Sequence, residues 1–184
     1  MTAQQDKTAK SEHWISYLVG IIIVAITAAA IHQLIPTSAD KPASDTTISK
    51  SEGKEITSEN ILQLVNLERQ KASVAPLAIL DTAVKSAEFK ANDMTTRDYL
   101  AHEDPETGEL NGLNKMKELG APCTYISENL AWAQSEGAYA EDILDWWMKS
   151  EKHRNAMLNP DYSLTGIGVS KGKKTVVVQH FCKQ

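Results

Sequence analysis

An acidic residue interrupts the apolar face of one predicted strand. Residues 126–132 have the pattern of a β-strand, in which successive side chains point to opposite faces. This alternation places Glu128 on the same face as Ile126, Leu130 and Trp132. An unpaired carboxylate buried in an apolar wall costs several kcal/mol. The fold is therefore expected to bring a cation, a hydrogen-bond donor or a metal ion to Glu128.

A long apolar segment near the N-terminus indicates the cellular compartment of the domain that contains this strand. Residues 14–31 carry no charge, and the run is just long enough to cross a hydrocarbon core of about 30 Å as a helix. We interpret residues 14–35 as a transmembrane anchor and residues 1–13 as a cytoplasmic tail. The alternative is a cleaved signal peptide, since residues 28–30 are all alanine. The first interpretation predicts a single-pass cell-membrane protein with an extracytoplasmic C-terminal domain, and the second predicts a secreted protein.

The rest of the chain divides into a linker and one domain. Residues 36–56 are mostly Pro, Ser, Thr, Ala, Asp and Lys, which cannot bury a core, so a flexible linker is predicted there. Residues 57–184 then form the folded domain. The formal net charge is -5, and no basic stripe is interleaved with aromatic residues. These features exclude a nucleic-acid binder.

Hydrophobic periodicity within the domain predicts helices first and strands mixed with helices afterwards. Predicted helices cover residues 58–72, 80–97, 113–119, 138–149 and 151–158, and predicted strands cover residues 126–132, 166–169 and 175–178. Residues 101–105 are expected to form a loop, because Pro105 enforces a turn. This order of elements predicts an α+β domain with an antiparallel sheet covered by helices.

The two cysteines of the chain both lie in the domain. Neither Cys123 nor Cys182 belongs to a Cys-x-x-Cys motif, so in an oxidising compartment they are predicted to form one disulfide. Closing a loop of about sixty residues would stabilise the fold by roughly 4 kcal/mol. The alternative is a pair of reduced, buried thiols.

Three histidines of the domain are candidate partners for Glu128. His153 follows Ser150, a predicted helix N-cap, and the positive end of a helix favours the neutral imidazole that ligates metals. His102 lies in an acidic loop, where sites are often found. The simpler alternatives are a core histidine at 153 and an exposed one at 102. His180, in the last strand, is the weakest candidate and is expected to pack near the disulfide.

Five short motifs in fixed order resemble a known family. The motifs are YLAHEDP at 99–105, SENLA at 127–131, WMKSEKHRNAML at 147–158, GIG at 166–168 and VQHF at 178–181. Together they resemble the bacterial form of the CAP superfamily, which includes cysteine-rich secretory proteins, antigen 5 and pathogenesis-related proteins. Residues 64–69 and 75–77 also match the opening of that domain. The resemblance covers residues 57–181.

The resemblance implies an α-β-α sandwich, with a small antiparallel sheet between helical layers, and a cleft lined by two histidines and two acids. His102 and His153 match the histidines, through which family members bind a divalent metal, often zinc. Glu128 matches the first acid, and the adjacent Asn129 belongs to the same motif and is expected to support the cleft. Ser150 stands where the second acid would be. This departure weakens any acid pair for catalysis.

Three functions are compatible with such a cleft, and binding is favoured over catalysis. We expect a membrane-anchored binding module whose His/Glu cleft takes a divalent metal such as Zn²⁺, or a small amphipathic ligand such as a lipid or another envelope component. One alternative is a zinc-assisted hydrolase or peptidase with Glu128 as the base. Another is a structural or protein-interaction module with a vestigial cleft.

Overall fold

The computed structural model describes residues 53–134 and 136–184. The predicted anchor at 14–35 and nearly all of the predicted linker lie outside this part of the chain. Among the residues described, no helix combines the length and the apolar character needed to span a bilayer.

Apart from one two-residue strand, the described residues form helices and strands in the order that the sequence predicts. The elements are α1 (Ser58–Lys71), β1 (Ala78–Ile79), α2 (Asp81–Arg97), α3 (Asn111–Glu118), β2 (Tyr125–Gln134), α4 (Ala140–Lys149), α5 (Glu151–Leu158), β3 (Leu164–Lys171) and β4 (Lys174–Lys183). The backbone N–H of Asn60 donates to Thr57 Oγ1 at 3.2 Å, which caps α1 at the predicted start. The predicted elements are thus confirmed, although the strands are longer than expected.

Four strands form one sheet in the order β1-β3-β4-β2. The three long strands pair antiparallel, as predicted. The two-residue strand β1, which the sequence did not reveal, pairs parallel to β3 and makes the sheet mixed. In the register of β2 and β4, Glu128 lies directly opposite His180.

Helices cover both faces of the sheet, which confirms the α-β-α sandwich. On one face, Leu130 of β2 packs with Ala87, Ala91 and Met94 of α2. The other face is covered by α1, α4 and α5. There the fully buried Trp147 of α4 donates its indole N–H to the carbonyl of Leu130 at 2.9 Å, which fixes α4 against β2.

Two glycines of β3 let α2 lie directly on the sheet. A Cβ atom at Gly166 would lie 2.1 Å from backbone atoms of Ala83, and one at Gly168 would lie 2.3 Å from backbone atoms of Ala87. No side chain fits in either gap, so the close approach of α2 to β3 requires glycine at both positions. This approach brings the side chains of α2 within reach of β4.

A disulfide joins Cys123 to Cys182, as predicted, with a Cα–Cα distance of 5.4 Å. It links the residues just before β2 to the end of β4. Both strands that carry the Glu128 and His180 pair are therefore covalently tied near one end.

Candidate functional site

Glu128 meets two histidines, one on each carboxylate oxygen. Oε1 lies 2.7 Å from Nδ1 of His102, and Oε2 lies 2.8 Å from Nε2 of His180. The side chains of Glu128 and His180 are only 3% and 0% exposed, whereas that of His102 is 44% exposed. The buried carboxylate predicted from the strand pattern thus has its partners, and one of them reaches the surface.

These contacts favour the ionised carboxylate. Burial alone would raise the pKa of Glu128, but the hydrogen bonds and positive charge from His102 and His180 outweigh it and lower the pKa below its ordinary value. The same hydrogen bond raises the pKa of His102, although partial burial opposes this effect. Because an ionised carboxylate only accepts hydrogen bonds, the nitrogens that face it donate.

His180 is held from its other side by α2. Its Nδ1 lies 2.7 Å from Oγ of Ser86, and the same Oγ lies 3.0 Å from the carbonyl oxygen of Ala83. Ser86 and His180 are both fully buried. Ser86, His180, Glu128 and His102 therefore form one continuous hydrogen-bonded chain from α2 to the surface.

A glycine of α3 makes room for the carboxylate. A Cβ atom added at Gly112 would lie 2.9 Å from Oε2 of Glu128 and 3.0 Å from Cβ of Lys90. Any side chain at position 112 would press on the carboxylate or on Lys90. The close packing of α3 therefore helps to confine Glu128 to its observed position.

A buried lysine holds the loop that carries His102. Lys90 Nζ donates to the carbonyl of His102 at 3.0 Å, to Asn111 Oδ1 at 2.8 Å and to Tyr99 Oη at 3.1 Å. Burial lowers the pKa of Lys90, and nearby acids, Glu128 first among them, partly offset that effect. Asn111 and Tyr99 in turn donate to Asp93 at 2.9 Å and 2.5 Å. The backbone of His102 is thereby tied to α2.

A second anchor lies just after His102 in the loop. Asp104 accepts hydrogen bonds from the guanidinium of Arg97 at 2.5 Å and from the backbone N–H groups of Glu106 and Thr107 at 2.8 and 3.1 Å. The bond from Arg97, followed by the backbone bonds, holds the pKa of Asp104 well below its usual range. The predicted loop at 101–105 is therefore firmly held on both sides of His102.

His153 lies on α5 and contacts Glu128 through neither of its nitrogens in the described structure. Its ring packs against Trp146, with the ring centroids 4.8 Å apart. Its Nδ1 is buried and has no hydrogen-bond partner among the described residues. Burial, followed by the nearby charge of His102, lowers the pKa of His153. The neutral imidazole expected there is thus favoured, chiefly by burial.

Of the two other predicted cleft residues, Asn129 contacts the backbone of this histidine and Ser150 begins its helix. Asn129 Nδ2 donates to the backbone carbonyl of His153 at 3.0 Å, which links β2 to α5. Ser150 is the N-cap residue of α5, as predicted, but its side chain makes no capping hydrogen bond within the described part of the chain. Neither residue supplies the second acid that the resemblance would call for.

The sequence ranked His180 last, yet the structure brings it directly to Glu128. The alternation of β4 was sufficient to place His180 on one face with Cys182, but it does not show that Glu128 of β2 lies opposite. The two cysteines carried the signal that could have predicted this contact. Pairing Cys123 with Cys182 in an antiparallel arrangement brings Glu128 within a few residues of His180 in register. The pairing of His102 and His153 around a metal remains a prediction.

Comparison with known proteins shows to which family the domain belongs. Residues 62–181 match the family model described as CAP, the cysteine-rich secretory protein family. The chain belongs to the CAP family. The motif-based resemblance is therefore confirmed, and it spans the strands and helices that carry the histidines and Glu128.

Two relatives of this CAP chain come from Bacillus subtilis strain 168. YkwD, described as uncharacterized, is 34% identical over 133 residues, which cover 72% of this chain and 49% of YkwD. YlbC, described as an uncharacterized membrane protein, is 31% identical over 124 residues, which cover 67% of this chain and 34% of YlbC. The chain thus spans about half of one relative and about a third of the other.

Solved structures share the CAP fold. An extracellular protein with an SCP domain from Bacillus anthracis matches with a TM-score of 0.57 and 26% identity, covering 68% of this chain and 40% of that one. An outer surface protein of Borrelia burgdorferi matches with a TM-score of 0.60 and 20% identity, covering 72% and 98%. NaASP2, crystallised with Zn²⁺, matches with a TM-score of 0.50 and 14% identity, covering 72% and 82%. The last two likenesses concern the fold alone.

Proposed function

We propose that this CAP domain is a binding module that takes a divalent metal ion, zinc in the first instance, between His102 and His153. One observation carries the proposal: a buried carboxylate holds Nδ1 of a histidine whose ring is half exposed. Zinc-binding histidines in proteins commonly have such a carboxylate on the ring nitrogen that does not bind the metal. His102 Nε2 is then the nitrogen that would ligate the ion.

The surroundings of His153 favour the protonation state that a metal ligand needs. A histidine binds metal only as the neutral imidazole, and the lowered pKa of His153 favours that form. Its buried Nδ1 also lacks a hydrogen-bond partner within the described residues, which is unusual for a buried polar atom. A nearby cation or water would satisfy it.

The donor set is small, which sets the expected strength of binding. In the described part of the chain, no three His, Cys, Asp or Glu side chains are grouped so that they could hold a metal ion. Glu128 uses both oxygens on histidines, so the protein offers two imidazoles and water would complete the coordination. We therefore expect binding that is weaker than at a structural zinc site with four protein ligands.

The same geometry makes the hydrolase alternative less attractive. A general base must lie within hydrogen-bond reach of the proton that it accepts. Glu128 is 3% exposed, and each oxygen is already bonded to an imidazole. An orienting role for Glu128 fits this geometry better than proton abstraction from a water molecule.

We also propose a separate site for an amphipathic ligand, a groove along α1 whose lining includes none of His102, Glu128 and His153. It has a volume of about 800 Å³ and is lined by α1 and the connector after it, including Leu62, Leu67 and Val74. Leu67 is 42% exposed. A lipid tail or a similar envelope component suits such a surface, and the predicted anchor, together with the membrane-protein description of YlbC, supports a position at the cell envelope.

Zinc titration of the full chain tests the metal site. Isothermal titration calorimetry of the metal-free protein should show one zinc site in the wild type and at least tenfold weaker binding in His102→Ala and in His153→Ala. His32→Ala, outside the domain, is the matched control and should bind like the wild type.

Titration with a fluorescent fatty acid, in wild type and in Leu67→Asp, examines the groove along α1 separately.

Each arm has an outcome that contradicts the proposal. A wild-type chain that takes up no zinc would rule out the metal function. Zinc uptake that survives both substitutions unchanged would rule out His102 and His153 as the ligands. Equal fatty-acid binding by wild type and Leu67→Asp, or none by either, would remove the α1 groove as a ligand site.

A further inference from the structure

We propose that His180 and Ser86 are positioning residues that hold the Glu128 carboxylate and thereby fix the tautomer of His102. The family resemblance assigns a role to neither of them. The inference rests on the proposed function only for its effect on metal affinity. Its effect on the tautomer of His102 is independent of any metal.

Three short contacts link the four side chains. Ser86 Oγ lies 2.7 Å from His180 Nδ1, His180 Nε2 lies 2.8 Å from Glu128 Oε2, and Glu128 Oε1 lies 2.7 Å from His102 Nδ1. Each distance is that of a good hydrogen bond. Whichever atom carries the hydrogen between Ser86 and His180, the contact holds the imidazole in one orientation.

The carboxylate is therefore held from two directions. A glutamate side chain has several rotatable bonds, and its terminal torsion is broad. A single partner on Oε1 would leave the carboxylate free to rotate about this torsion, which would weaken its hold on Nδ1 of His102. The bond from His180, which belongs to the adjacent strand β4, fixes Oε2 and leaves Oε1 for His102 alone.

This arrangement determines which nitrogen of His102 is free. An ionised carboxylate accepts and never donates, so the neutral ring of His102 carries its hydrogen on Nδ1. Nε2 then keeps its lone pair, on a side chain that is 44% exposed. The buried hydrogen bonds thus leave Nε2 of the half-exposed His102 ring available to a ligand.

The order Ser, His, Glu also occurs in catalytic triads, but the burial of Ser86 argues against that role here. Ser86 is 0% exposed, and its hydroxyl is also bonded to the carbonyl of Ala83. A nucleophile must reach the carbon that it attacks. A hydroxyl enclosed between α2 and the sheet reaches no substrate, so the contact serves to hold His180.

Histidine ¹⁵N NMR of the full chain tests the inference directly. With the metal removed by chelation, at an alkaline pH where the ring of His102 is neutral, the wild type should show one tautomer with the hydrogen on Nδ1. His180→Gln should show a mixture of the two tautomers, and Ser86→Ala a smaller shift in the same direction. Ser170→Ala, which removes another buried serine hydroxyl at the far end of β3, is the matched control and should leave His102 unchanged.

Zinc affinity gives the second readout. Loss of a group that orients a ligand commonly weakens metal binding 10- to 100-fold, so His180→Gln should bind zinc at least about tenfold more weakly. If the wild type binds no zinc, the proposed function fails while the tautomer measurement still decides this inference. An unchanged His102 tautomer in a folded His180→Gln overturns it. If that variant does not fold, an unchanged tautomer in Ser86→Ala overturns it instead.

Discussion

Two histidines share one carboxylate in this molecule, and they lie in very different surroundings. His180 is a central-strand residue of β4, is 0% exposed and is packed between the sheet and α2. His102 is a loop residue, is 44% exposed and is held through its backbone by Lys90. Their distances to Glu128 differ by only 0.1 Å. Similar hydrogen bonds can therefore have different roles, and the surroundings decide which.

The difference shows how a small domain can build a rigid site at its surface. On the buried side, the hydrogen bond is protected from water and holds the fold together. On the exposed side, the same carboxylate orients a ring that solvent and ligands can reach. The predictions below test this division between a structural partner and a functional one.

Removal of the shared carboxylate should have the largest effect. In Glu128→Ala, a cavity remains and the buried N–H of His180 loses its acceptor, which together should cost about 3–5 kcal/mol. Chemical denaturation of the full chain measures the loss. Glu103→Ala removes an exposed acid next to His102 and should change stability by less than about 0.5 kcal/mol. Equal effects of the two substitutions would mean that Glu128 has no special structural role.

Replacement of each histidine by alanine should change the stability of the fold by a different amount. His180→Ala leaves a cavity and an unpaired carboxylate oxygen in the core, and should cost about 3 kcal/mol. His102→Ala removes a half-exposed partner and should cost only about 1 kcal/mol or less, while weakening the proposed zinc binding at least about tenfold. A His102→Ala variant that unfolds as readily as His180→Ala would contradict the contrast between them.

The smallest effect should be a pH dependence of the exposed contact. The pKa of His102 is raised, so its contribution to stability is complete below its ordinary value of 6.5 and is lost as the pH rises through the higher folded value. The pKa of Glu128 is lowered, so its contribution is present above 4.5 and is lost as the pH falls through the lower folded value. The advantage of wild type over His102→Gln should therefore be largest between about pH 4.5 and 6.5.

Because the ring of His102 is half exposed, this advantage should stay within about 1 kcal/mol. Denaturation midpoints of the two proteins across pH 4 to 9 provide the measurement. His153 should contribute in the opposite sense, since its lowered pKa makes the native state less favourable as the pH falls below 6.5. A constant difference between wild type and His102→Gln at every pH would contradict the coupling of His102 to Glu128.

Much of the fold could be predicted from local patterns. The apolar spacing of α1 and α2 was sufficient to place both helices. The strand β1 left no signal, because two exposed residues, Ala78 and Ile79, show no periodicity. Its pairing with β3 depends on where the chain returns after α5, which is a property of the tertiary structure alone.

The site could be predicted only in part, for the same reason. Alternation was enough to show that Glu128 is buried and needs a partner, and the family motif pointed to His102. The strand that neighbours β2 cannot be read from the sequence of β2, so the contact with His180 was missed. Ser86 gave no signal, since a serine on the inner face of a helix is unremarkable until the helix is placed on the sheet.

The position of Ser86 depends on a residue that has no side chain. Gly166 is the register partner of His180, and its missing Cβ lets the backbone of α2 settle onto β3. Glycine at this position therefore sets the distance between α2 and the sheet. An alanine there would lift α2 and lengthen the reach from Ser86 to His180 without altering any atom of the polar chain. A substitution at position 166 is therefore expected to change the orientation of the His102 ring at the surface through these buried contacts.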